Sequence, residues 1–119
     1  MTQPKLTVKR NDVVLVLFPN SNLTTAKTRP ALIVQADDLQ TGLPQVIVTM
    51  ITSQMGRAGH PSRVTVLLSS TKGQQSGLLT DSVVMTDNLA TITLSAIQRV
   101  ISSLPAADVD EALRQTLGL

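Results

Sequence analysis

The brevity of its apolar runs is what most limits how this chain can fold. The longest, Val13 to Phe18, spans six residues, and it is followed by Ala31 to Gln35, Val46 to Ile51 and Val64 to Leu68. All four are rich in β-branched residues and bounded by turn formers, the pattern of strands rather than helices. Gly42 and Pro44 supply a turn between the second and third, and Ser82 to Thr86 reads as a fifth strand after the Gly77 loop. Five strands at short spacing predict a small barrel. No run approaches the roughly 20 apolar residues that cross a membrane as a helix, so no membrane partner is expected.

The period changes in the last third. Thr93 to Ile97 predicts a helical turn, Arg99 to Leu104 a short strand, and Pro105 the first turn of a helix. Beyond it Val109, Ala112, Leu113, Thr116 and Leu117 follow the i, i+3, i+4, i+7, i+8 spacing of one buried stripe. Asp108, Asp110 and Glu111 lie near that helix's N-terminus and Arg114 nearer its C-terminus, as the macrodipole favours, and Gly118 stands where a left-handed residue would end it. The fold expected is mainly β with a C-terminal α-helix, one domain over residues 1–119, with no repeat, low-complexity tract or linker.

Composition removes whole classes of chemistry. Without cysteine there is no disulfide framework, thiolate metal site or cysteine nucleophile, and the single histidine, His60, rules out a His-pair metal motif. No GxGxxG or P-loop pattern occurs, so no nucleotide or metal cofactor is expected. Phe18 is the sole aromatic residue, which disfavours recognition of nucleic acid by stacked bases. Nothing of signal-peptide length follows the basic N-terminus before Asn11 and Asp12, and a cytoplasmic location is expected. The net charge of +2 hides an asymmetry: residues 1–80 carry eight Lys and Arg against three Asp, residues 81–119 two Arg against five acidic residues. A basic face on the first part suits a polyanion or an acidic peptide, and equally an ordinary solvated surface.

Two polar loops are long enough to carry function, Pro19 to Arg29 and Thr52 to Ser62. Arg29 precedes Pro30, which fixes its backbone in an extended conformation. A guanidinium so held suits a phosphate and can stabilise the charge that develops when a phosphodiester is attacked. On spacing alone, however, a surface arginine in an ion pair is the plainer reading. Thr52, Ser53 and Gln54 follow a buried strand directly, and their hydroxyls and amide can bond a phosphate or a base edge, or merely cap the strand end. Asp87, at the end of the fifth strand, reads as a general base or as an Asx turn. His60, between Gly59 and Pro61, reads as an exposed loop residue.

Taken in order, five blocks resemble a known family: Asp12-Val13-Val14-Leu15-Val16, Arg29-Pro30-Ala31-Leu32-Ile33-Val34, Ile51-Thr52-Ser53-Gln54, Asp81-Ser82-Val83-Val84, and Val109 to Leu113 with Leu117-Gly118-Leu119. The succession is similar to the MazF/PemK family of toxins from about residue 10 to the end. The resemblance implies an SH3-like barrel of the MazF/Kid/CcdB kind with a C-terminal helix, working as a homodimer and neutralised by a cognate antitoxin protein. It also implies a sequence-specific endoribonuclease that cuts single-stranded RNA without metal, leaving a 2′,3′-cyclic phosphate and a 5′-hydroxyl. The family's catalytic arginine and threonine fall on Arg29 and Thr52, with Lys27, Ser53 and Gln54 as RNA-binding neighbours. The acid that serves as base in the Kid branch falls on Asp87. Met85 stands where the Kid branch carries an arginine and Ala90 where many members carry one, and the first loop reads Asn22-Leu23-Thr24-Thr25-Ala26-Lys27. Two other expectations stay open: a non-enzymatic toxin of the same fold that acts by binding a protein, as the gyrase poisons do, and a catalytically weak homologue that serves to bind an antitoxin.

Overall fold

A computed structural model of the chain describes residues 7–19 and 24–119. Six strands, β1 (Asp12–Pro19), β2 (Ala26–Ile33), β3 (Gln45–Thr52), β4 (Arg63–Val66), β5 (Ser82–Thr93) and β6 (Ile97–Ser103), form one antiparallel sheet in the order β4-β5-β3-β2-β1-β6. A short helix α1 (Thr71–Gln75) joins β4 to β5, and α2 (Ala106–Leu117) closes the chain. The sheet is open, with β4 and β6 at its edges. The architecture is thus the expected mainly-β one with a C-terminal helix, as an open six-stranded sheet.

Each expected strand is present, but several boundaries move. β2 starts at Ala26 because Lys27, Thr28 and Arg29 continue the ladder opposite Phe18, Leu17 and Val16. Lys27 and Arg29 therefore sit in a strand rather than a loop; Asn20 to Leu23 of the expected loop lie outside the described residues. β5 runs on past Thr86 to Thr93, and the turn expected at residues 93–97 is a single 3-10 turn over Leu94–Ala96. Helix α1 has no apolar stripe to announce it. The Ser70 hydroxyl caps it by accepting from the Gly73 N–H at 3.0 Å, and Lys72 ties it to Asp108 at 2.9 Å. Pro105 caps α2 just before its first turn, and Gly118 ends it at φ 71° in the left-handed region.

Alternation along the strands sends side chains to two cores. Val13, Leu32, Ile51, Val64, Val66 and Val84 face α2 and receive Val109, Ala112 and Leu113. Val14, Val16, Ala31, Ile33, Val46, Val48 and Ile97 form the second cluster. The stripe of α2 is therefore consumed within the chain as far as Leu113, each buried Val or Leu contributing roughly 1.5–3 kcal/mol, while Leu117, expected to continue it, is exposed in the last turn.

Two interruptions of this alternation shape the site. Met50 pairs with Met85 but Thr49 pairs with Leu89, so Thr86, Asp87 and Asn88 have no partners on β3. This bulge is stapled: the buried Thr49 hydroxyl meets the carbonyls of Met85 and Asn88, and Thr86 Oγ1 donates to the Ser62 carbonyl at 2.6 Å. On β6, Arg99 pairs with Leu15 and Ile97 with Val16, leaving Gln98 as the extra residue.

Candidate nucleic-acid interface

β2 and β3 are paired only from Ile33 and Val48 to Ala31 and Met50. Carried two residues further, the same register would set Arg29 against Thr52. The next β2 residue is Pro30, which has no N–H to extend a ladder, and the strands part there. A groove of about 1040 Å³ opens at this end of the sheet. Arg29, Thr52, Lys27, Ser53 and Gln54, the residues anticipated from sequence, all line it.

Thr52 is held for use. Its Oγ1 accepts from the Gln54 N–H at 3.1 Å, the strand-end cap anticipated as the plainer reading. A hydroxyl that accepts through one lone pair still has its O–H to donate, so the cap orients the group without consuming it.

The electrostatics of the groove are one-signed. Arg10, Arg63, Lys72 and Arg114 are committed to ion pairs with Asp110, Asp87, Asp108 and Glu111 at 2.7, 2.8, 2.9 and 3.6 Å. Lys27, Arg29, Arg57 and Arg99 have no acidic partner among the described residues, and all four line the groove. No Asp or Glu lines it. An unneutralised cationic groove concentrates polyanions. Its floor is apolar, with Leu15, Met50, Met85 and Leu79 among its walls. Met85 and Ala90 both border it.

Asp87 is elsewhere. The three-residue bulge swings it out of the groove's lining into a separate hollow of about 350 Å³ with His60, Ser62, Gln115 and Thr116. There Arg63 donates to both of its carboxylate oxygens, at 2.8 and 3.4 Å. That hydrogen bond holds the carboxyl below the ordinary aspartate range, with partial burial opposing. A carboxylate so stabilised is a poor proton acceptor, and the structure does not bring it to Arg29 and Thr52. His60 is an exposed loop residue, as expected, and its Nδ1 lies 2.7 Å from Ser62 Oγ.

Sequence reasoning missed Arg57 and Arg99 as groove residues. Arg57 carried a weak signal, lying between Gly56 and Gly59 in a long loop. Arg99 carried none, because its direction depends on the β6 bulge. Among the described residues no three His, Asp or Glu side chains are grouped as metal ligands would be.

Comparison with known proteins identifies the family and the fold. The family of PemK-like, MazF-like toxins of type II toxin-antitoxin systems matches residues 9–117. Endoribonuclease MazF2 of Mycobacterium bovis and endoribonuclease MazF6 of Mycobacterium tuberculosis are each 32% identical over 107 residues, covering 87% of this chain and 90% of the relative. Among solved structures, the Mycobacterium tuberculosis toxin MazF-mt6 superimposes with TM-score 0.68 at 26% identity, covering 91% of this chain and 97% of that one. An endoribonuclease in complex with its cognate antitoxin, from a mycobacterial species, gives 0.71 at 19% identity over 94% and 96% of the two chains. The MazE-MazF structure of Deinococcus radiodurans gives 0.70 at 18% identity over 96% and 98%. The last two show likeness of fold. By the extent of the family match and the identity to its endoribonuclease members, the chain belongs to the MazF/PemK toxins of type II toxin-antitoxin systems.

Proposed function

We propose that this toxin cleaves single-stranded RNA at internal phosphodiesters by attack of the substrate's own 2′-hydroxyl, with no metal cofactor. The observation that carries the reading is the meeting of Arg29 and Thr52 at one cationic groove free of carboxylates. A groove lined by four unpaired cations binds the phosphate chain. With the substrate bound, the 2′-oxygen forms a bond to phosphorus while the bond to the 5′-oxygen breaks. The 2′-hydroxyl loses its proton and the 5′-oxygen gains one. The products are a 2′,3′-cyclic phosphate and a 5′-hydroxyl. Arg29 stabilises the extra charge on the phosphorane, and the Thr52 O–H bonds a non-bridging oxygen. Ser53, Gln54 and Lys27 position neighbouring nucleotides. No carboxylate of the groove is available as base, so the 2′-hydroxyl proton passes to solvent or to a group outside this set.

The chain acts as a homodimer in the cytoplasm and is silenced by a cognate antitoxin segment that covers the same groove. Support for the antitoxin comes from the complexed relatives of the same fold. The sheet is read as a partly open SH3-like barrel, on the support of the long β5, whose first four residues pair with β4 and which pairs with β3 on both sides of its bulge. A second reading, a catalytically weakened antitoxin-binding homologue, is favoured by Met85 and Ala90 at the groove.

The test is incubation of the purified protein with a long RNA in EDTA, followed by analysis of the fragment ends. Fragments with cyclic-phosphate and 5′-hydroxyl ends that disappear with Arg29→Ala are expected. Intact RNA would favour the weakened homologue or a protein-binding toxin, and cleavage that requires magnesium would overturn the mechanism.

A further inference from the structure

Strict alternation along β6 would bury Arg99. Ile97, two residues before it, pairs with Val16 and belongs to the second core. Gln98, the extra residue of the bulge, reverses the alternation, so Arg99 pairs with Leu15 on the opposite side of β1 from Val16. Leu15 lines the groove, and so does Arg99. The bulge is fastened: Thr28 Oγ1 on β2 donates to Gln98 Oε1 at 3.2 Å, across the width of β1. Bulges of this kind re-aim a side chain. Here it aims an exposed guanidinium, without an acidic partner among the described residues, into a groove that no described Asp or Glu lines.

Resting on the ribonuclease reading above, we propose that Arg99 forms a second phosphate subsite, which binds a backbone phosphate of the RNA other than the one cleaved. Arg29 and Arg99 lie on the two strands that flank β1, so their backbones are two strand spacings apart, roughly 10 Å. Arg29 is opposite Val16 and Arg99 opposite Leu15, so the two start from opposite sides of β1 and share only the groove that both line. So placed, one guanidinium serves the scissile phosphate and the other a phosphate farther along the chain. Arg99 is a phosphate-binding residue that acts on affinity, whereas Arg29 acts on the chemical step.

The experiment separates the two by using an oligonucleotide that cannot be cut. A fluorescent 2′-O-methyl RNA lacks the attacking hydroxyl, and its binding to the full chain is followed by anisotropy across a salt series. Arg99→Ala is expected to weaken binding roughly ten-fold at low salt, the loss of one charge-assisted contact. It should also flatten the slope of log affinity against log salt by about 0.7, the contribution of one single-strand phosphate. Arg99→Lys should retain most of that slope. On cleavable RNA, Arg99→Ala should raise KM more than it lowers kcat, and Arg29→Ala the reverse. Lys9→Ala, an exposed cation outside the groove, serves as the control and should change neither. Unchanged affinity and slope in Arg99→Ala, or an equal change in Lys9→Ala, would overturn the subsite while leaving the nuclease reading intact. Binding that depends on Arg99 in a protein that cuts no RNA would instead retain the subsite and remove the nuclease reading. Exposure of Arg99 makes misfolding of the variants a readily detected event, checked by an unchanged melting temperature.

Discussion

Thr52 combines two jobs in one oxygen, and single substitutions can separate them. Thr52→Ser keeps both the accepted Gln54 N–H bond and the donor, and should retain most activity. Thr52→Ala loses both, and kcat should fall by about 10- to 100-fold while the melting temperature drops by no more than about 5 °C, since one exposed cap is worth on the order of 1 kcal/mol. Cleavage assays paired with thermal melts read both; a collapse of stability would make Thr52 a structural cap. Asp87 offers the converse case. Its folded pKa is lowered by Arg63, so the pair's stabilisation is present above the unfolded aspartate value near 4 and is lost as pH falls through the lower folded value. Being partly exposed, the pair is worth no more than about 1 kcal/mol. Asp87→Asn should therefore melt slightly below the parent at pH 7, converge with it as pH falls below about 4, and cut RNA at the parental rate. A large loss of cleavage would return Asp87 to the reaction.

Among the elements, α1 shows what spacing cannot reveal. Its sequence, Thr71 to Gln75, is polar throughout, and it exists because Gly73 lets the helix backbone rest on that of Leu67 and Leu68, where a Cβ would overlap the Leu67 carbonyl. Gly73→Ala should cost more than about 2 kcal/mol and lower the melting temperature by roughly 5–10 °C. Gly56→Ala, with open space around its Cβ, should leave it almost unchanged. The strands were legible because β-branched runs between turn residues carry their own signature, and α2 because its stripe, acidic start and Gly118 agree. Linear spacing failed where residue count and pairing diverge. It put Arg29 in a loop because Lys27 to Arg29 are polar, yet β1 pairs with them; it ended the fifth strand at Thr86, and the family resemblance then made Asp87 the base, because three extra residues in β5 are invisible until β3 is laid alongside. Arg29 and Thr52 were candidates by their places before Pro30 and at a strand end, a family resemblance preferred them over the plainer readings, and their shared groove emerged only from the parting of β2 and β3.

At the scale of the molecule, Val109, Ala112 and Leu113 of α2 are covered by the chain's own sheet, so they are not the surface of a dimer. Exposed side chains such as Leu17, Leu43, Leu79 and Leu89 remain for that purpose. Sedimentation at micromolar concentration should give twice the mass of one chain, and a monomer would count against the proposed assembly. The fold also divides its charges spatially: four of the eight acidic side chains pair with cations away from the groove, and Lys27, Arg29, Arg57 and Arg99 collect around it. Gln98 has a wider meaning in this light. With that residue absent, Ile97 and Arg99 would stand on consecutive rungs opposite Val16 and Leu15, as they do now. A ladder run straight through Gln98 would instead set Arg99 opposite Val14 in the second core, so the outward guanidinium depends on the glutamine staying out of the pairing rather than on its own chemistry.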